Sequence, residues 1–178
     1  IADYGGNGTA STVSDSKSNT PAYLTAATTD GSNASRIRLA YFENPTVWTG
    51  HTFSTASGAG LPYPAIAVMA FSGAATSSVY EGHESSGNAQ NGTTVQPGSI
   101  TPSEANCLVV TAMGSNSEAS PSIDGGFSTI VDAWTNGESE RVALSYLIQT
   151  AAAAANPTWT GTDTNGRIAV SGSFKAGA

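Results

Sequence analysis

The sequence has little of what most enzymes and metal proteins use. It contains one cysteine, Cys107, and two histidines, His51 and His83. A single cysteine excludes an intrachain disulfide and a zinc site made of clustered cysteines. The apolar run that follows it, residues 108–110, predicts a buried and unreactive thiol. Charged residues make up only 11% of the chain, so short polar side chains must form most of the surface, a composition that suits exported or assembled proteins.

Positive charge is scarce as well. Six lysines and arginines stand against 13 acidic residues, which gives a net charge of −7 and a pI near 4.5. A chain without a basic stripe cannot neutralise phosphates, so nucleic acid and anionic membranes are excluded as partners. The longest apolar runs, such as residues 65–71, are far shorter than the roughly 20 residues of a membrane-spanning helix. Insertion into a membrane is therefore not expected.

What the chain does have is alternation, most clearly in two similar stretches, residues 36–42 and 141–147. Large apolar residues occupy every second position in both, which is the period of a half-buried strand. These residues are Ile37, Leu39, Tyr41, Val142, Leu144 and Tyr146. Both stretches are therefore predicted to be strands.

Further strands are predicted at residues 20–28, 47–54, 65–71, 106–113, 127–134, 158–160 and 167–174. The run at 65–71 is apolar throughout, which is typical of a strand covered on both faces. Residues 72–98 lose all periodicity, and only 79–80 and 93–95 within them could be strands. Asp30-Gly31 and Asn136-Gly137 predict turns before the two similar stretches. The alanines at 151–155 are too few for a stable helix and predict a loop.

The two halves of the chain match in the kind and order of these segments. This predicts a single all-β domain over residues 1–178, an antiparallel β-sandwich of jelly-roll or Greek-key type. Two repeated units, residues 1–74 and 100–178, would be joined by a Gly/Ser/Asn-rich connection at 75–99; a barrel is the alternative. The shared core is predicted to contain the six alternating residues above together with Phe71 and Phe174.

Five core patterns of the second unit carry a resemblance to known proteins. They are a Leu-Val-Val strand (108–110), a Gly-Gly-Phe turn (125–127), an Arg-to-Tyr strand (141–146), Trp159-Thr160 and a closing Ile-to-Phe strand (168–174). The chain resembles the duplicated β-sandwich modules of secreted bacterial surface proteins and of phage virion decoration and fibre proteins. The resemblance covers almost the whole chain and implies display on an extracellular or virion surface without catalysis.

Catalytic and metal-binding patterns are weak. The chain has no Gly-x-Ser-x-Gly motif, and neither histidine stands in a recognisable nucleophile setting. Glu81-Gly82-His83-Glu84 has the residue types of a metal site, but its spacing predicts a solvated acidic loop. Asp163-Thr164-Asn165-Gly166 resembles the start of a calcium loop, yet it lacks the later glutamate and predicts a turn. We therefore expect neither an enzyme nor a metal or cofactor site.

Two function classes stay open. The first is a structural or display module, such as a virion decoration, fibre, filament or adhesin subunit that associates with itself or with a larger assembly. The second is a carbohydrate-binding module, since exposed tryptophan rings stack on the apolar faces of sugars. Trp48 and Trp134 are the candidate ligand-binding residues, and surface glycans the candidate ligands, whereas Trp159 aligns with Phe53 and is expected in the core.

The first unit lacks part of a strand that the second unit is predicted to have. A full strand is expected at 106–113 in the second unit, but the corresponding place in the first holds only Ile1, Ala2, Asp3 and Tyr4 before Gly5-Gly6. We expect the matching strand to begin upstream of residue 1, or else to leave an open sheet edge there that a strand from a neighbouring subunit could fill. Ile1, Ala2, Asp3 and Tyr4 are therefore the candidate assembly edge.

Overall fold

The fold is built from β-strands that pair antiparallel. A computed structural model describes residues 1–4, 9–28, 35–57, 63–89, 92–116, 119–134, 140–162 and 166–177, and no helix occurs within these ranges. The all-β, antiparallel prediction is therefore confirmed, and the arrangement is consistent with a β-sandwich. The strands are β1 (Ala2–Tyr4), β2 (Thr12–Asp15), β3 (Ala22–Tyr23), β4 (Ala27–Thr28), β5 (Ser35–Ile37), β6 (Ala40–Tyr41), β7 (Phe53–Ala56), β8 (Tyr63–Ala65), β9 (Tyr80–Ala89), β10 (Thr94–Val95), β11 (Cys107–Ser115), β12 (Ser122–Ile123), β13 (Ser128–Trp134), β14 (Arg141–Gln149), β15 (Trp159–Thr160) and β16 (Arg167–Phe174).

The largest sheet has five strands in the order β13-β14-β11-β16-β9. Its middle strand, β11, pairs with β14 along nine residues and with β16 along eight. These three strands carry the clearest alternation in the sequence, and the predictions for residues 106–113, 141–147 and 167–174 are confirmed. Their length makes this sheet the framework on which the shorter strands pack.

Both faces of this sheet are covered. On one face, here called the Phe174 face, Val110, Ala112, Leu144 and Phe174 join the main hydrophobic core. That core is closed by the sheet β4-β5-β1-β8 from the first half of the chain. The molecule is therefore layered, with the long strands β11 and β16 buried on both sides.

The opposite face, here called the Trp159 face, is covered by the sheet β10-β15-β12. Trp159 is fully buried there with Met113 and Ala169, and its indole N–H donates to Thr111 Oγ1 at 3.1 Å. The expectation that Trp159 belongs to the core is thus confirmed. The buried Cys107 begins the same row of residues on β11.

The predicted shared core is confirmed for all but one of its members. Ile37, Leu39, Val142, Leu144 and Phe174 are buried in the main core, and Tyr41 and Tyr146 pack against it partly buried. Phe71 is the exception, because 39% of its surface is exposed. Its ring lies edge-to-face against Tyr146, at 5.1 Å between ring centroids.

Five strand predictions need correction. The strands expected at 20–28 and 36–42 are each split into two short strands, β3 and β4 in the first case and β5 and β6 in the second. Residues 80–89, expected in an aperiodic connection, form the ten-residue edge strand β9, since the exposed edge of β16 offers a full ladder of hydrogen bonds. Residues 66–71, expected to continue a doubly covered strand, have no strand pairing after β8 ends at Ala65. The strand expected at 47–54 begins only at Phe53, because Trp48 and His51 close a turn with each other.

The remaining predictions concern one loop, three turns and membrane insertion. The loop at 151–155 is confirmed, with Ala155 forming a single bridge to Ile100. Asp30-Gly31, Asn136-Gly137 and Asp163-Thr164-Asn165 lie outside the described residues. No described helix has the length and apolar character needed to cross a membrane.

Candidate functional site

Trp48 lies on the surface, as expected of a binding aromatic. Its side chain is 70% exposed, and the Lys17 ammonium lies 5.9 Å from the ring centroid. The loop that presents it is fixed by the backbone, since His51 N donates to the Trp48 carbonyl at 3.1 Å.

Asp15 anchors this loop from below. Its carboxylate accepts hydrogen bonds from the Lys17 and Asn19 amides, from the Asn19 side chain and from His51 Nε2, the last at 2.7 Å. Desolvation acts to raise the pKa of Asp15, but these hydrogen bonds outweigh it and lower the pKa to about 2. Asn19 then ties the turn to Thr46, so Trp48 stands on a rigid support.

Trp134, the other candidate, is only half exposed. It lies at the end of β13, where the Arg141 guanidinium stacks 5.5 Å from its ring centroid. Arg141 also pairs with Asp132. These contacts give Trp134 a packing partner, and Trp48 is the more accessible of the two rings.

The open edge expected at Ile1, Ala2, Asp3 and Tyr4 is not found on these residues. Along its whole length β1 pairs with β5 on one side and with β8 on the other. Ala2 is completely buried, and Asp3 is 2% exposed. One Asp3 oxygen accepts the Ser11 amide at 3.1 Å. These residues therefore form the middle of a sheet.

Near Asp3 lies a second buried acid, Glu140. Its carboxylate accepts the Ser35 hydroxyl at 3.1 Å. Burial, and to a lesser extent the charge of Asp3, raise the pKa of Glu140 well above its usual value. Glu140 is completely buried, so both acids are shielded from solvent.

The acidic stretch at 81–84 belongs to β9 and is not a solvated loop. Glu81 accepts hydrogen bonds from Ser103 and from the Cys107 thiol, whereas Glu84 accepts from Thr25. The side chain of His83 lies outside what the structure describes. Glu81 and Glu84 thus fasten β9 to different parts of the molecule.

Sequence reasoning did not associate Glu81 with Cys107 and Glu104. Potential ligand atoms of these three residues lie within 4.8 Å of one another. Burial, followed by the hydrogen bond and negative charge of Glu81, raises the pKa of the Cys107 thiol to about 11. The thiol is thus protonated and buried, as the apolar sequence around it predicts.

Sequence reasoning also missed an apolar groove on the Phe174 face. Its volume is about 510 Å³, and Ile1 lies at one end. One wall is formed by residues 39–44 and the other by residues 66–71. The side chains of Leu108, Val110 and Leu144 form the floor.

The walls of the groove are apolar and partly solvated. Val68 and Phe71 are 40% and 39% exposed, and Val47 at the rim is 62% exposed. Among the described lining residues, Glu43 alone carries a charged side chain, and its carboxylate accepts the Val79 amide at 2.9 Å. Large exposed apolar patches are rare on single proteins and often belong to binding surfaces.

Backbone groups along the groove are also open. β6 pairs with β3 on the side away from the groove, where Leu24 N also donates to the Leu39 carbonyl at 3.0 Å. Residues 66–71 make no backbone hydrogen bond with any described residue. The groove can therefore offer hydrogen bonds as well as apolar contacts to an extended chain.

The uninterrupted apolar run at 65–71 was the sequence signal for this site. Such runs are typical of a fully covered strand, and nothing in the pattern distinguishes a covered strand from one that lacks a neighbour. Comparisons of the chain with protein-family models, with curated proteins and with solved structures gave no match.

Proposed function

We propose that the protein is a non-catalytic structural or display module that assembles with other protein subunits through its β-sandwich. The observation that carries the proposal is the apolar groove, with its exposed Val68 and Phe71 and the unpaired backbone of residues 66–71. Exposed apolar strand edges are usually shielded in proteins that act alone. Here the edge is joined to an apolar floor, which favours a protein partner.

The surroundings of such an assembly follow from the sequence resemblance. Modules of this type occur in virion decorations and fibres and in extracellular filaments and adhesins, so we place the protein on a virion or an extracellular surface. The low content of charged side chains, 11% of the chain, agrees with subunits whose surfaces meet each other.

A sandwich of two repeated units, of jelly-roll or Greek-key type, is part of the proposal. Two antiparallel triplets of strands, β5-β1-β8 and β14-β11-β16, have the same order along the chain and in space. They come from residues 1–74 and 100–178. This correspondence supports a duplication, with β9 and β10 lying in the connection at 75–99.

Sedimentation velocity across a range of protein concentrations tests the assembly. We expect larger species to accumulate as the concentration rises. Phe71→Ser removes an apolar side chain from the groove wall and should weaken association by about tenfold or more, as expected from the free energy of burying one large apolar side chain. Trp48→Ser removes an apolar side chain that is 70% exposed and lies outside the groove, and it should leave association unchanged. A wild-type protein that stays monomeric at every concentration would contradict the proposal.

Binding of carbohydrate is the second candidate, favoured by the 70% exposure of Trp48 on its rigid loop. A glycan array followed by titration of the best ligand would test it. Saturable binding that Trp48→Ala abolishes and Phe71→Ser preserves would support this function. The absence of any saturable ligand would leave assembly as the better account of the surface.

A further inference from the structure

The groove lies in line with β1. Ile1 donates its amine to the Arg38 carbonyl at 3.0 Å and accepts the Arg38 amide at 2.9 Å. In the adjoining ladder Ala2 lies opposite both Ile37 and Ala65. A strand that continued this register past Ile1 would run between the two walls, opposite residues 39–42 on one side and 67–70 on the other.

The alternation of a strand decides which wall groups would bind such a segment. Ile1 exchanges both of its hydrogen bonds with Arg38, so this is a hydrogen-bonded pair and the groups of Ala2 point to β8. Along the wall that continues from Ala65, the alternation repeats every two residues. The backbone N–H and C=O groups of Ala67 and Met69 therefore point toward the groove, and those of Val68 point away from it. On the opposite wall, Ala40 faces the groove by the same alternation.

Side chains follow the same period. Ala2 packs against Gly114 on the Phe174 face of the central sheet. The inward side chains of a strand in the groove would lie between Leu39 and Ala67 and between Tyr41 and Met69. These four wall residues belong to the main core or pack against it. Such a strand would need apolar residues at alternate positions and no acidic residue near Glu43.

The five-stranded sheet shows the completed form of the same arrangement. There β11 runs between β14 and β16, and Gly114 lies opposite Val142 and Ile168. If Gly114 corresponds to Ala2, the part of β11 that corresponds to the groove is residues 107–112. Their inward side chains, Leu108, Val110 and Ala112, form part of the main core.

We propose that the groove is an acceptor site for an extended, uncharged strand of about six residues donated by another subunit of the assembly. The strand lies antiparallel to both walls, with apolar side chains at alternate positions facing Val110 and Leu144. The inference rests on the proposed function, since it names the partner that assembly requires. Backbone edges on two sides select a peptide over a lipid or a sugar, because only another strand satisfies both rows of groups.

A synthetic peptide of residues 107–113 carrying C107S, with two added lysines for solubility and a fluorophore, is the probe. We expect saturable binding in fluorescence anisotropy, with slowed hydrogen exchange at Ala40, Ala67 and Met69. The same peptide with Val110→Pro has a similar apolar character but cannot complete the ladder, and it should not bind.

Two proline variants of the protein form a matched pair. Ala67→Pro removes an amide that points into the groove, and binding should weaken by about tenfold because a peptide carbonyl is left without its donor. Val68→Pro lies one residue away with its amide pointing outward, and binding should stay within about twofold. Neither change removes a backbone hydrogen bond that the described chain makes.

Several outcomes would overturn the proposal. The first is failure of the wild-type protein to bind the probe, and the second is equal binding by the two proline variants. The third is protection of the amides of residues 67 and 69 from hydrogen exchange in a monomer without peptide, which would mean that the groove is filled from within its own chain. Sedimentation of the same variants keeps the proposed function separate. Assembly without peptide binding rejects the strand site alone, whereas peptide binding by a protein that never self-associates supports the site and directs the search to a different donor subunit.

Discussion

Asp15 shows how one short side chain can hold a binding loop in a protein with few charges. It lies at the end of β2, and its two oxygens accept from three different residues. His51 also stacks on Phe53, at 4.5 Å between ring centroids. The loop that carries Trp48 is therefore ordered by polar contacts that require an ionised carboxylate.

The stability that Asp15 provides should depend on pH in a defined direction. Its pKa is about 2 in the folded protein, against a reference value of 3.8. Because its pKa is lower in the folded protein, the ionised Asp15 carboxylate contributes stability. This contribution is fully present above the pKa of the unfolded state and is lost as the pH falls from about 4 toward 2. The difference in unfolding midpoint between the wild type and Asp15→Asn should shrink as the pH falls through that interval. A difference that grows between pH 4 and pH 2 would contradict the assignment.

At the scale of elements, the position of β9 is set by its packing and not by the strand propensity of its residues. It is rich in serine and glycine, yet it lies along the full edge of β16. Gly87 lies so close to the Gln96 carbonyl that a Cβ atom would overlap with it. Small residues in β9 therefore let the chain of 92–98 cross over the strand on the Trp159 face.

Gly87→Ala should accordingly disturb the contact between β9 and the segment at Gln96. Because the obstacle is a backbone atom, it cannot turn aside as a side chain would, and the cost should be about 1 to 3 kcal/mol of unfolding free energy. Ser86→Ala, at an exposed neighbouring position, should change it by less than about 0.5 kcal/mol. Urea denaturation of both variants provides the measurement. Equal midpoints would show that the crossing relaxes without loss.

How well the sequence predicts each strand depends on which interaction holds that strand in place. The strands β11, β14 and β16 were predictable because their alternating apolar residues face a core. β9 was not, because its hydrogen bonds to β16 hold a segment with little apolar character. The groove was missed for the opposite reason: residues 65–71 have the apolar character of a strand, but the neighbour that would complete the sheet is not among the described residues. Trp48 is exposed, but it lies in a turn and not in the strand predicted at 47–54.

For the whole molecule, the doubly covered central sheet makes the two outer layers depend on each other. The first-half strands pack on the Phe174 face, and the sheet that contains β15 packs on the other. Neither outer sheet has strands longer than a few residues, and short sheets are marginal unless they pack on another layer. The chain should thus behave as one cooperative domain over residues 1–178.

Leu144→Ala tests this coupling through a residue on one face and a reporter on the other. Leu144 is 7% exposed in the main core, and its truncation should cost about 2 to 5 kcal/mol. Trp159 lies fully buried on the opposite face, so its fluorescence, in a Trp48→Phe and Trp134→Phe background, follows the other layer. If the domain is single, Leu144→Ala should shift the Trp159 transition and the circular dichroism transition to the same lower denaturant midpoint. Ile148→Ala, on an exposed position of the same strand, should leave both midpoints nearly unchanged. The layers would unfold as separate units if Leu144→Ala left the Trp159 midpoint unchanged and split the circular dichroism transition into two steps.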